Sequence, residues 1–465
     1  MRICFLIPDG IGIRNYLYSD IIPILIQEGH QIILWHSLDA SQIQIAEERL
    51  NVSFEQFPFK HLPDNFLVKL VREAARFSRL KRNAKTTQNE TIMDNWTGNA
   101  STLSGRFIMK CAQFLGSLIS SNTSISKLEN FGFRQIRKTS RFKKAKKQIQ
   151  VMNPDLIFCT HQRVFSVTPE IEAAKSQGIP TSTAVFSWDN LPKGRLPFRT
   201  DQYLVWSDYM KGEMETYYPE ISQDMVVTTG TPQFDFYYKE EMILSREQFA
   251  DRFKLNPDKI WVCFSGCDSL TSPNDPKYLE DVANALQNEE DIQLIFRPVP
   301  VELPDRFNKV LSSFPNVVLA SPKWSKGDNW GNFFPLYEDL IDLVNLAFHC
   351  KVVLNMGSTM ALDFSVFGNL AFYMKYDHKI KPENWSVDTI YRFQHFESMS
   401  GMEAVGYIFS PDEILKKVKA GIQNPDEFAP DRMKWFQKIV QPDPTKSASR
   451  RVADALITIK SKEIN

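Results

Sequence analysis

The feature that most constrains this chain is a rhythm. Short runs dominated by Ile, Val, Leu and Phe recur between longer amphipathic stretches, and most runs give way to a glycine or a small polar residue. Strands buried on both faces read as continuous apolar runs, and a crossover helix between successive strands makes them parallel. In the first half strands are expected at 2–8, 30–36, 155–161, 181–188, 202–207 and 225–230, with crossover helices over 15–29 and 167–178. In the second half the same reasoning expects strands at 259–266, 292–298, 316–321, 351–357 and 370–374, with helices at 277–288, 335–349 and 359–367. A rhythm that appears twice in 465 residues predicts two Rossmann-like α/β domains, since one core rarely serves so long a chain. The charged stretch at 238–258 places the join, giving a domain over 1–245 and another over 246–465 whose last helix is expected to pack back on the first. Residues 60–150 break the rhythm, being polar and basic at 83–105 and apolar at 107–119, and are read as a helical insertion with a mobile loop.

Composition closes off several function classes. Hydrophobic residues at 43% and charged residues at 24% exclude a disordered chain and a polytopic membrane protein. A net charge of zero leaves no electrostatic footprint for nucleic acid. Two stretches, 66–82 and 133–149, do carry apolar residues at helical spacing among many Lys and Arg. They suit either peripheral contact with an anionic membrane or ordinary solvated helices, and they lack the aromatic platform of single-strand binders. The six cysteines are scattered, Cys263 and Cys267 lack the spacing of a zinc knuckle, and no metal is expected. The opening MRICFLIPDG is too short for a signal sequence and no run is long enough to span a bilayer, so the expected location is the cytoplasm, with the membrane's inner face in reach of the basic stretches.

In open parallel sheets ligands sit beyond the carboxyl ends of the strands, so the loops there carry the search for chemistry. In NMGSTMALDF (355–364), Gly357 permits close backbone approach, Ser358 and Thr359 open a helix, and Asp363 lies in its first turns. That combination suits a diphosphate with a ribose beside it, although the same residues also make an ordinary helix cap. Arg297, between a strand and the stiff Pro298-Val299-Pro300, suits fork-like phosphate contact, and Ser265 and Gly266 suit a phosphate or an acceptor. In the first half Asp189, flanked by Trp188 and Asn190, is the first candidate for a general base; His161 and Asp9 are the others. Gly230 and Thr231 follow a further strand. Gly10 and Gly12 begin a dinucleotide fingerprint, but Asn15 stands where its third glycine belongs, and the loop is read instead as cleft floor.

The run SWDNLPKG, then DQYLVWSDYMKGEM, TGTPQFD, RPVP and NMGSTMALD, in that order over roughly 150–370, resembles the GT-B-type glycosyltransferase-like proteins of bacterial surface-polysaccharide loci. The resemblance implies two Rossmann-like domains facing a central cleft, a nucleotide-sugar donor held by the second and a saccharide or lipid-linked acceptor held by the first. It implies catalysis without a metal or other cofactor, in keeping with a chain that has no Asp-x-Asp motif. Val299 departs from the pattern, which has His there, and shifts the expected donor contact onto Arg297. A UDP-sugar 2-epimerase, a polyol-phosphate transferase, or an inactive homologue binding a glycan or a partner enzyme remain open alternatives.

Overall fold

A computed structural model describes residues 1–98, 102–325, 333–383 and 385–459. The chain divides into two α/β units, one comprising Met1–Gln233 with the C-terminal stretch from Ile439, the other the described residues between Phe234 and Lys438.

The first unit is built on seven parallel strands: β1 (Arg2–Ile7), β2 (Gln31–His36), β3 (Glu55–Pro58), β4 (Leu156–Cys159), β5 (Thr181–Ala184), β6 (Gln202–Val205) and β7 (Val226–Thr228), in the order β3-β2-β1-β4-β5-β6-β7. Ile3 to Ile7 and Leu156 to Cys159 are entirely buried, and Phe5 meets Phe158 edge to face at 5.4 Å. The apolar runs are continuous for this reason: each central strand has a neighbour on both edges and helices over both faces. The second unit carries β8 (Ile260–Ser265), β9 (Ile292–Arg297), β10 (Val318–Leu319), β13 (Val352–Asn355), β14 (Leu370–Met374) and β15 (Gly406–Ile408), parallel throughout and ordered β10-β9-β8-β13-β14-β15. A short antiparallel pair, β11 (Trp324–Ser325) with β12 (Phe334–Pro335), stands apart from it. Both sheets reverse strand order once, between β1 and β4 in the first and between β8 and β13 in the second.

Among the described residues the insertion holds four α-helices, Phe66–Thr87, Leu103–Ser117, Asn122–Ile136 and Ser140–Met152, and a short 3-10 helix at Glu90–Asn95. Each α-helix starts on a side-chain cap: Asn65, Thr102, Ser121 and Thr139 accept backbone N–H groups three residues on. The first helix continues to Thr87, so the expected loop is shorter than 83–105; of it, 99–101 lie outside the described residues. Gly116 lets the second helix touch the first, because a Cβ there would stand 2.6 Å from the Ala74 carbonyl oxygen. Among the described residues no helix is long and apolar enough to cross a membrane.

The stretch 66–82, read as either a membrane-facing or a solvated helix, turns two of its arginines inward: Arg79 is 2% exposed and reaches Glu129 and Glu220, and Arg72 pairs with Asp64 and Glu73. The stretch 133–149 spans two helices. In the latter one Phe142, Ala145 and Ile149 enter the core while Lys143, Lys144 and Lys147 stay exposed.

The final helix, Ala448–Ile457, lies on the first unit: Ala455 O accepts from Gln202 Nε2 at 3.1 Å and Arg450 pairs with Glu28. Gly230 is explained here. Its φ of +73° and the closeness of Arg451 and Ala448 leave no room for a side chain.

Candidate functional site

The switch between β1 and β4 gathers the first unit's candidates. The loop after β1 carries Asp9, Gly10 and Gly12, and the strand end after β4 carries Thr160 and His161. Gly12 is required by proximity alone, since a Cβ would stand 2.6 Å from Thr160 Oγ1. Asp9, 7% exposed, accepts from the Ile11 N–H through Oδ1 at 3.2 Å and from His161 Nδ1 through Oδ2 at 2.8 Å. With Nδ1 holding its proton against the carboxylate, the opposite nitrogen is left as the acceptor. His161 is 5% exposed, and its Nε2 is buried without a hydrogen-bond partner among the described residues. Two candidates raised separately from the sequence thus form one dyad.

Asp189 stands differently. Its carboxylate pairs with Lys193 and accepts from Asn190 Nδ2 at 3.3 Å, while Trp188 and Asn190 are buried. Gly230 and Thr231 follow β7 at the sheet edge, three strands from β4, roughly 14 Å at the usual strand spacing. They are not brought to the dyad.

His161 lines a cavity of about 460 Å³ whose other walls are the helices Phe66–Thr87 and Asn122–Ile136 and the turn at Gly194–Pro197. Val68, Val71, Phe133 and Leu196 give it an apolar lining. Five arginines, 72, 76, 79, 163 and 195, reach it, against three carboxylates, Asp64, Glu73 and Glu129. Sequence reading missed these arginines as a group, because nothing in their spacing joins them.

In the second unit Ser265, Gly266, Arg297, Gly357, Ser358 and Thr359 converge on the ends of β9, β8 and β13, with Ser265 directly opposite Arg297. Several of their polar groups are paired, while Nη1 of Arg297 and Nδ2 of Asn355 are buried without a partner among the described residues. Ser358 donates its N–H to Asn355 Oδ1 at 2.9 Å and accepts from the Met360 N–H through its hydroxyl at 3.3 Å. The helix that follows is only Met360–Ser365. Gly357 has φ +77° and sits where a Cβ would meet the Phe396 ring at 2.9 Å. Asp363, 8% exposed, accepts from Tyr237 Oη at 2.8 Å.

Arg297, expected as an open clamp, is 5% exposed and places Nη2 at 2.9 Å from both oxygens of Asp339, itself 3% exposed. That carboxylate also accepts from the Lys323 N–H and from Trp324 Nε1. Asp275 was missed. It is fully buried behind Gly266, accepts from the Cys267 N–H at 2.8 Å, and burial pushes its carboxyl up to about 7, against the pull of that N–H and of Arg306.

No family profile matches the sequence, and no curated protein matches it at the sequence level. Solved structures do match. A UDP-GlcNAc 2-epimerase from Neisseria meningitidis bound to UDP-GlcNAc aligns with a TM-score of 0.56 at 10% identity, covering 99% of this chain and 100% of that one. The S. aureus MnaA structure with UDP aligns at 0.52 and 12%, covering 100% of both. The Methanocaldococcus jannaschii UDP-GlcNAc 2-epimerase in complex with UDP-GlcNAc and UDP aligns at 0.50 and 11%, covering 98% of this chain and 99% of that one. The chain therefore has the GT-B-like fold of those enzymes, a mixed α/β architecture with two parallel sheets of seven and six strands. At such identities the likeness is one of fold.

Proposed function

We propose that this chain is a metal-independent glycosyltransferase, moving a sugar from a nucleoside-diphosphate sugar to a surface-polysaccharide or glycolipid precursor. The observation that carries this reading is the His161–Asp9 dyad on the wall of a cavity built largely by inserted helices. An epimerase works on one nucleotide-sugar and has no need of a second substrate, whereas a transferase needs an acceptor seat with a base at its edge. His161 Nε2 takes the proton of an acceptor hydroxyl, the oxygen attacks the donor's anomeric carbon, and the nucleoside diphosphate leaves; Asp9 steadies the imidazolium. Direct displacement inverts the anomeric configuration. Asp189, held by Lys193, ranks below the dyad as the base.

On the donor side the loops at Ser265–Gly266 and Gly357–Thr359 supply backbone and hydroxyl donors, with Asp363 beside them. Arg297 acts by holding Asp339 and the segment at Lys323–Trp324 rather than by gripping the diphosphate. Peripheral membrane contact, first expected at 66–82 and 133–149, is supported as a reading by the helix Leu103–Ser117 and the residue after it, where Leu103, Phe107, Phe114 and Leu118 are 62–80% exposed along one face beside Arg106 and Lys110.

The epimerase reading is second, favoured by the fold likeness. Purified protein with a panel of nucleotide-sugars separates the two: nucleotide release that depends on an acceptor supports transfer. Isomerised donor without acceptor overturns it in favour of the epimerase, and release of a nucleoside monophosphate overturns it in favour of polyol-phosphate transfer.

A further inference from the structure

The arginines of the first unit's cavity are not equally provided for. Arg72 is neutralised by Asp64 and Glu73 and lies 3.8 Å over the Phe165 ring. Arg79 is held by Glu129, Glu220 and the Tyr217 carbonyl. The remaining three are underpaired. Arg76 has a 3.7 Å contact with Glu73, already engaged by Arg72, and one carbonyl partner, Asn95 O at 2.6 Å. Among the described residues neither Arg163 nor Arg195 has an ion pair within 4.0 Å or a hydrogen bond from its guanidinium, and Nε of both Arg76 and Arg195 is buried without a partner.

Folding has brought these three together. Gly194, at φ +63°, sets the turn carrying Arg195 against the first inserted helix, its Cβ position 3.9 Å from Arg76 Cγ. Arg163 follows His161 by two residues on the loop after β4. Burial holds all three guanidinium groups below their ordinary range; Arg76 is further depressed by Arg195, and Arg195 goes down to about 10 through burial and then Arg163. The carboxylates in reach are committed elsewhere: Glu73 to Arg72, Asp189 to Lys193, Asp9 to His161. Half-buried like charges whose nearby carboxylates, Glu73, Asp189 and Asp9, are shared with other cations raise the energy of the empty protein, and a bound anion lowers that cost. Three forks suit a compact oxyanion, to which Arg donates paired N–H groups. Most of the cavity wall is otherwise apolar, with Val68, Val71, Ala75, Phe133, Ile136 and Leu196 along it.

We propose that this cavity binds an amphiphile in which a phosphate or a similar oxyanion is joined to an apolar body, with Arg76, Arg163 and Arg195 taking the anion beside His161. The assignment rests on reading the cavity as the acceptor seat, and it narrows the acceptor from a polysaccharide or glycolipid precursor to an anionic amphiphile.

The test is equilibrium binding to the intact chain of decyl phosphate below its micelle concentration, against decanol and inorganic phosphate, with no nucleotide-sugar present. Decyl phosphate should bind at least about tenfold more tightly than either half-molecule, since both the charge and the tail have partners. Arg163→Gln and Arg195→Gln should each weaken it by about tenfold or more. The paired change Lys143→Gln/Lys144→Gln, on exposed cations outside the cavity, should leave it unchanged. Arg195→Gln should also raise, or leave level, the melting temperature of the unliganded protein, whereas loss of an arginine that braces the fold would lower it. Equal binding of decyl phosphate and decanol overturns the proposal, and so does equal loss in the arginine and lysine variants. Because no turnover enters the measurement, decyl phosphate binding in a protein inert toward every nucleotide-sugar would sink the transferase reading and leave the site standing. Acceptor-dependent turnover without decyl phosphate binding would do the reverse.

Discussion

Replacing Arg297 decides whether that guanidinium serves the fold or a ligand. Arg297 and Asp339 are 5% and 3% exposed, and one nitrogen spans both carboxylate oxygens at 2.9 Å. In Arg297→Met the carboxylate stays buried with, among the described residues, the Lys323 N–H and the Trp324 indole N–H left to solvate it. Stranding one member of a buried pair costs about 3–5 kcal/mol, a large share of a typical domain's stability. Arg297→Met/Asp339→Asn removes both charges. The Asn oxygen can still accept from Lys323, leaving mainly the Trp324 N–H unmet at about 1–3 kcal/mol. The double variant should therefore be more stable than Arg297→Met alone, with a coupling of about 2 kcal/mol. Urea unfolding followed by tryptophan fluorescence reads this, since Trp261 on β8 is fully buried in the same unit. Nucleotide affinity, measured by calorimetry with UDP, is expected to follow stability rather than lead it. Arg297→Met within 1 kcal/mol of the parent, together with a large loss of UDP affinity, would refute the buried-pair argument and restore the open clamp.

Four further outcomes are expected. His161→Ala should cut turnover by about 10²–10⁴-fold with nucleotide affinity retained, Asp9→Asn should fall in the same direction, and Asp189→Asn should cost least of the three; acceptor-dependent nucleotide release measures all of them. Asp275, raised to about 7 by burial, favours its protonated form when folded, so its contribution is fully present below the unfolded value near 4 and is lost as the pH climbs through 7. Relative to the parent, Asp275→Asn should gain on the order of 3–4 kcal/mol between pH 4 and pH 8, read by urea unfolding at each pH. Gly12→Ala should cost about 1–3 kcal/mol and be partly rescued by Thr160→Ala, whose hydroxyl is the nearest obstruction. Phe107→Ser/Phe114→Ser should lower co-sedimentation with anionic vesicles without changing the melting temperature, as both rings are more than 60% exposed.

The sequence was most readable where a strand is buried on both faces. Arg2–Ile7, Gln31–His36 and Ile260–Ser265 lie within the expected runs because long apolar segments between turn residues have few other places to go. It was silent at Glu55–Pro58 and Gly406–Ile408, which are sheet edges: the former has no buried residue, and the latter opens on a glycine packed against Phe372. It overreached at 15–29, where a π-helical turn over Ile13–Leu17 and a break at Ser19 and Asp20 precede the helix Ile21–Gln27. It also overreached at 316–321, of which only Val318–Leu319 pairs. For the site, it named Asp9 and His161 separately, since a one-residue motif carries no partner. The partnership of Arg297 with Asp339 and the gathering of Arg76, Arg163 and Arg195 depend on long-range packing that local spacing does not encode.

The two switch points differ in a way that bears on which substrate each serves. In the second unit Ser358 is met by Asn355 and Asp363 by Tyr237, while Arg297 gives Nη2 to Asp339 and keeps a buried Nη1 without a partner among the described residues. In the first unit, among the described residues, His161 Nε2 and the Nε atoms of Arg76 and Arg195 are buried without partners, and Arg163 has no ion pair, on a cavity whose wall is mostly apolar. Buried polar groups are seldom left so, and several at one place mark where a second molecule completes the structure. Under the transferase reading proposed above, the groups left short in the first unit are where the second substrate would sit. If the shortage at Arg163 and Arg195 were relieved by nothing but water, the case for an acceptor seat would lose its main physical support.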